Sequence, residues 1–281
     1  MESNDILYSV ENKIATITLN RPDNLNTMTA DMYMEMIELL DKAENDDAVR
    51  VIVVTGNGRV FCAGADLTTG KKFGQQDNSI EEYRDRGGLV SLRLFKLTKP
   101  CIAAINGSAV GVGITMTLPM DIRVVSEKAK IGFVFSRRGI INEACSSYFL
   151  PRIVGVSKSL EWIMTGRTFL ATEGYEAGLF TKMVEPEKVL ETAYEYAREI
   201  ADNAAPLSVA LARRLIWDMH GTDPLTAHDF ESRCMFFLGR SADAKEGVGA
   251  FMEKRAPEWS MSVTKDMPPF FPFKEDPPFR N

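Results

Sequence analysis

Chemistry that leans on imidazole has little to work with in this chain, because its 281 residues include only two histidines, His220 and His228. Neither sits in a metal-ligand or triad signature, so zinc hydrolysis and Ser/His/Asp catalysis are set aside and neither residue is given a role. The four cysteines, Cys62, Cys101, Cys145 and Cys234, are scattered without a CxxC pair. They read as small buried hydrophobes of a reduced, intracellular protein. Carboxylates and backbone amides remain. Two glycine-bearing turns each follow an apolar run, the first from Gly56 to Leu67 (GNGRVFCAGADL) and the second from Asn106 to Gly113 (NGSAVGVG). Small residues there let a ligand approach the backbone, and amides between a strand and a helix point free N–H groups outward. The second turn lacks the GxGxxG spacing of a dinucleotide site. On spacing alone, each turn is as consistent with close packing as with a binding site.

The elements that must position these turns can be read from periodicity. Ile14 to Asn20 (IATITLN) is β-branched and ends in a turn at Arg21-Pro22-Asp23-Asn24. Met32, Met36, Leu39, Leu40 and Ala43 lie on one face of a helix over Thr29–Asn45. Val51 to Gly56 and Cys101 to Ile105 are continuously apolar, as expected of strands buried on both faces of a mostly parallel sheet. Further strands are expected at Asp121 to Val125, Ile131 to Phe135 and Leu179 to Val184. From Val189 the pattern becomes helical, near 189–203, 206–219, 224–238 and 242–254. The fold class is α/β, without the clean rhythm of a doubly wound sheet.

Composition narrows the function classes. The chain is 45% hydrophobic and 26% charged with a net charge of −6, which argues against disorder and against a broad nucleic-acid surface. No apolar run is long enough to span a bilayer, and the first residues do not read as a secretory signal. The end of the chain, FRN, is not a peroxisomal signal, so cytoplasm is the default. Of thirteen prolines, six fall from Pro257 onward. That stretch, with MPPFFPFKEDPPF, must be an extended tail whose aromatics pack on its own or a neighbouring subunit.

Six segments in order carry a resemblance. They are NRPDNLNTM from Asn20, VIVVTGNGRVFCAGADL from Val51, KPCIAAINGSAVGVG from Lys99, DIRVVSEKAKIGF from Asp121, SSYFLPRIVG from Ser146 and FMEKR from Phe251. Together they resemble the crotonase superfamily, the enoyl-CoA hydratase and isomerase group. The resemblance, which runs from about residue 8 to 256, implies a ββα spiral core over 1–190 that binds acyl-CoA and a helical trimerisation region over 191–256, and the extended tail takes 257–281. It implies a coenzyme A thioester as substrate, no other cofactor, no metal, and a homotrimer or dimer of trimers without nucleic-acid or membrane partners. The two amides that hold the thioester oxygen map onto Ala65 and Val112, where the family usually has glycine at the second place. Valine keeps the N–H but should narrow the pocket or demand an ordinary backbone angle. Substrate and coenzyme contacts carry over to Leu25, Ala63, Gly64, Ala65, Asp66, Leu67, Gly111, Phe251 and Lys254, with Lys254 and Arg255 of FMEKR resembling the cations lent to the coenzyme phosphate and a solvated helix face as their idle alternative.

The chain also departs from the family's hydratases. The two water-activating glutamates of that group fall here on Thr115 and Phe135, neither of which can exchange a proton as a carboxylate does. One carboxylate does occur nearby, Glu143 in GIINEACSS, which resembles the segment of Δ3,Δ2-enoyl-CoA isomerases in which a single glutamate shuttles the proton. The family's preceding proline is Asn142 here, and a glutamate stabilising the start of a helix is the idle alternative. Asp66 should fix its own turn, and Arg137 and Arg138 should pair with acidic neighbours. Residues 68–96, with the loop GKKFGQQDNS, should supply part of the pocket wall. The expected activity is double-bond isomerisation. Hydration or hydrolysis of a specialised acyl-CoA, and non-catalytic acyl-CoA binding, are the competing readings.

Overall fold

In the computed structural model, residues 4–68 and 79–274 are described. The elements in chain order are β1 (Ile6–Glu11), β2 (Ile14–Leu19), α1 (Ala30–Asn45), β3 (Val51–Gly56), β4 (Val60–Cys62), α2 (Arg86–Lys96), β5 (Cys101–Ile105), β6 (Ser108–Val110) and α3 (Val112–Thr115). Then follow β7 (Ile122–Ser126), β8 (Lys130–Gly132), α4 (Ser146–Val154), α5 (Val156–Thr165), β9 (Thr168–Leu170), α6 (Ala171–Glu176) and β10 (Lys182–Val184). Four helices complete the chain, α7 (Val189–Asn203), α8 (Pro206–Met219), α9 (Pro224–Leu238) and α10 (Ala242–Glu253).

The strands form two sheets, ordered β1-β2-β3-β5-β7-β10 and β4-β6-β8-β9. Three times in succession the chain places one strand in the first sheet and the next in the second, as β3 then β4, β5 then β6, and β7 then β8. Helices follow each pair, so like strands of successive turns stack in parallel, β3 on β5 on β7 and β4 on β6 on β8. This is the expected ββα spiral. Each glycine turn of the sequence is the place where the chain crosses between sheets.

The apolar runs behave as double-sided strands. All six residues of β3 are buried. Ile52 and Val54 face the main core, whereas Val51 and Val53 join Ile102, Ala104 and Val124 beneath α7. Val189, Ala193, Ala197 and Ala201 recur every fourth residue on α7, so one small-residue stripe lies against the sheet. Helix α1 is capped by Thr29, whose side chain accepts from the Met32 amide. Its buried stripe includes Tyr33 as well as Met32, Met36, Leu40 and Ala43, while Leu39 is only partly buried.

Two expected strands are shorter than their apolar runs. The strand β8 ends at Gly132, and Phe133, Val134 and Phe135 are buried outside it because a 3-10 turn at Ser136–Arg138 follows. The strand β10 begins only at Lys182, since Leu179 is held by bonds to Gly174 and Arg123. At the other end, Phe270, Phe271 and Phe273 pack with Phe230, Phe237 and Leu211 of α8 and α9. The tail therefore covers its own chain as far as Lys274, and the rest of it lies outside the described residues. No helix among the described residues is long and apolar enough to cross a membrane.

Candidate active site

The two glycine turns meet. β4 pairs with β6 in parallel, Val60 beside Ser108 and Cys62 beside Ala109. A β-carbon on Gly113 would lie 2.2 Å from the Cys62 carbonyl oxygen, and one on Gly107 would lie 2.2 Å from that of Arg59. Glycine is thus required where the backbones touch. Gly64 (φ 113°) and Gly111 (φ 57°) face each other across the junction, with 3.7 Å between a Gly111 β-carbon position and Gly64 Cα.

The amide directions follow from the bonds on either side. The Met28 amide donates to the Gly64 carbonyl and the Asp66 amide to the Met28 carbonyl, both at 2.9 Å. Alternation along the strand then turns the Ala65 N–H the other way, toward the second turn. Gly111 donates to Gly132 and accepts from Ile114 and Thr115, which leaves Val112 as the first residue of α3 with its N–H facing outward. Among the described residues, neither amide meets a protein acceptor. Val112 has no positive φ, so the ordinary backbone angle expected of a valine is met.

Glu143 stands beside these amides. Its carboxylate accepts from the Thr115 hydroxyl, and its Oε2 lies 2.1 Å from where a Gly87 β-carbon would be. A Val112 methyl lies 3.2 Å from the same point. The valine branch therefore narrows the site next to the carboxylate. Glu143 precedes α4 by three residues and bonds to Thr115, so it is not a helix-capping glutamate. Asn142 donates to Ser146 Oγ at 3.2 Å and closes the turn where the family has proline.

Burial is the largest influence on the Glu143 carboxyl, followed by the negative charge of Asp85, and both favour the protonated form. The Thr115 hydrogen bond opposes them, and the balance stands at about 8. Tyr33 of α1 and Cys62 of β4 feel the same carboxylate. Burial above all, with Glu143 adding to it, raises both, Cys62 to about 12. Neither supplies an anion near neutral pH.

Other expected residues divide into those the fold brings to the turns and those it does not. Ala63 donates to the Leu25 carbonyl at 3.0 Å, so Leu25 and residues 63–67 share one wall, with Leu67 exposed. Asp66 accepts from Thr68 and from Arg21, which holds its carboxyl down at about 2 and fixes the turn. Phe251 is exposed and Lys254 ends α10 in a left-handed conformation. No hydrogen bond or ion pair among the described residues joins either to the glycine turns. Among the described residues, Arg137 and Arg138 form no ion pair with an acid. They donate to the carbonyls of Thr165, the last residue of α5, and of Val134, because the 3-10 turn directs them at backbone rather than at carboxylates. Of the loop GKKFGQQDNS, all but Ser79 lies outside the described residues, whereas residues 86–96 form α2.

Sequence reasoning missed Asp85 and Gly87. Asp85 caps α2 by accepting from the Gly87 and Gly88 amides. The signal was present, an aspartate shortly before an amphipathic run with glycines in the first turn, but only the fold shows that Glu143 fills the space above Gly87.

The chain matches the family model for enoyl-CoA hydratase/isomerase over residues 9–262. It belongs to the enoyl-CoA hydratase/isomerase family. Among members of that family, an enoyl-CoA hydratase of Alternaria alternata is 45% identical over 247 residues, covering 88% of this chain and 82% of the relative. A 1,2-epoxyphenylacetyl-CoA isomerase of Escherichia coli is 35% identical, covering 91% and 98%. The crystal structure of an enoyl-CoA hydratase from Bacillus anthracis superposes with a TM-score of 0.83 at 32% identity, covering 91% and 99%. The crotonase architecture of this enoyl-CoA hydratase/isomerase family member is thus shared with solved structures.

Proposed function

We propose that the protein is a Δ3,Δ2-enoyl-CoA isomerase in which Glu143 is the only acid and base. The observation that carries this reading is one inward-turned carboxylate, held by Thr115 at the place of one hydratase glutamate, with Phe135 at the place of the other. The thioester carbonyl accepts from the Ala65 and Val112 amides. Glu143 removes a C2 proton, and the electron pair of that C–H bond moves into the carbonyl to give a dienolate. The protonated Glu143 then returns the proton to C4, and the double bond shifts from C3–C4 to C2–C3. Removing one donor of such an oxyanion hole typically costs about 2.7 to 4 kcal/mol. No metal or redox group is called for.

Hydration by Glu143 alone is the second reading, favoured by the hydratase names of the similar proteins. Product analysis on 3-enoyl and 2-enoyl thioesters side by side separates the two. Isomerisation is expected to convert the first into a conjugated 2-enoyl thioester. If the 2-enoyl thioester were instead turned over rapidly to a 3-hydroxyacyl product, the isomerase reading would fall.

The pH profile gives a further expected result. The base must be ionised in the free enzyme, so kcat/KM rises with pH, half-maximal near pH 8. Thr115→Val removes a hydrogen bond to the charged form, and the midpoint should move to higher pH. A midpoint that stayed in place or moved down would show that the titrating group is not Glu143.

The same reading has the helical region 191–256 joining subunits into a homotrimer or a dimer of trimers. Phe236, Phe251 and Met252 on α9 and α10 are exposed apolar side chains that such contacts would cover. Phe251 and Lys254 would then serve the coenzyme of a neighbouring subunit.

A further inference from the structure

We propose that Asp85 is a positioning residue for Glu143, gripping from the start of α2 the peptide unit that carries the base. This rests on the reading of Glu143 as the acid and base. Asp85 accepts from the Gly88 amide at 2.6 Å and the Gly87 amide at 3.3 Å, which is all that capping a helix requires. A third bond goes elsewhere, from the Ala144 amide to Asp85 Oδ2 at 3.0 Å. That amide belongs to the same peptide unit as the Glu143 carbonyl. The carbonyl in turn accepts from the Ser146 amide at 3.0 Å and the Ser146 hydroxyl at 2.6 Å. Both ends of one peptide plane are therefore held, and its rotation would swing the Glu143 side chain.

The grip is needed because the backbone there is unusual. Ala144 (φ 55°) and Cys145 (φ 56°) both adopt the left-handed conformation, which side chains other than glycine seldom take unless surrounding bonds enforce it. Asp85 also adds charge. The groups facing the Glu143 carboxyl are Asp85 from the cap of α2, Tyr33 from α1 with Arg86 beside it, Cys62 from β4, Thr115 from α3 and Cys145 from its own loop. Among them Asp85 is the like charge that holds the Glu143 proton more tightly. A serine cap would serve the helix equally well but would be too short to grip Ala144, and an asparagine cap would reach without the charge.

Two full-length variants separate these roles, with isomerisation of a 3-enoyl-CoA followed across pH and E143Q as reference. D85N leaves one oxygen for the Gly88 and Ala144 amides and turns its NH2 toward Gly87, giving up only the 3.3 Å bond, so its kcat/KM midpoint should move to lower pH. D85S keeps the cap alone, and its kcat should fall by about 10- to 100-fold with KM changed by less than about threefold. Melting temperatures monitor the fold, and D85T, a cap of the same short reach, carries the kcat test if D85S unfolds. A D85S kcat equal to that of the wild type overturns the grip, and a D85N profile superimposed on that of the wild type overturns the part played by its charge, while an inactive E143Q leaves the assignment of the base standing. An active E143Q overturns both.

Discussion

Glu143→Gln is expected to reduce isomerisation of a 3-enoyl thioester by roughly 100- to 10,000-fold, the range over which a positioned acid or base contributes. The amide can still accept from Thr115 and occupies the same volume, so the loss is chemical rather than structural. Stability should move the opposite way. The ordinary carboxyl value is 4.5 and the folded one about 8, so in the wild type the folded state binds the proton more tightly. That contribution is fully present below pH 4.5 and lost progressively as pH rises to about 8. Glutamine has no proton to lose. Relative to the wild type, E143Q should gain stability across that window and reach a plateau of up to about 5 kcal/mol above it. Urea unfolding at several pH values measures the gain, and turnover at pH 9 measures the loss. Full activity in E143Q would remove Glu143 from the mechanism.

Gly87→Ala should have the second largest effect, by a different route. The added β-carbon would sit 2.1 Å from Glu143 Oε2 and 3.2 Å from the Val112 methyl. The carboxylate is the end of a flexible side chain and can step aside, at the cost of its bond to Thr115. Alanine in a helix is itself favourable by up to about 1 kcal/mol, so the melting temperature should change little. The rate should fall by about 100-fold, because the base has been displaced by an ångström or more. A variant as active as the wild type would show that the productive carboxylate does not occupy the space above Gly87.

Local signals gave the frame, and long-range ones were silent. The strands Val51–Gly56 and Cys101–Ile105 and the helices from Val189 onward were legible because continuous burial and helical periodicity are written in neighbouring residues. The two turns were legible because glycine is the only residue that fits where β4 and β6 cross. Apolarity alone could not end β8 at Gly132, since Phe133 and Phe135 are as buried outside the strand as within one. Asp85 and Ala144 stand 59 residues apart, and no spacing rule joins them. Only the packing of α2 over the Glu143 loop does so. The choice between isomerase and hydratase rests on which side chains replace two glutamates, which is a property of the site and not of the fold.

The Thr115 hydroxyl has one proton and two oxygens within reach, the Glu143 carboxylate and the Gly111 carbonyl at 3.2 Å. When Glu143 is ionised, the proton points at it. Were Glu143 to take up a proton, as the proposed isomerisation requires, the hydroxyl could turn its own toward Gly111 and offer its lone pair instead. In the proposed isomerisation this pivot about the threonine Cβ–Oγ1 bond would act as a two-position rotor, leaving the carboxyl a partner whether it is ionised or protonated.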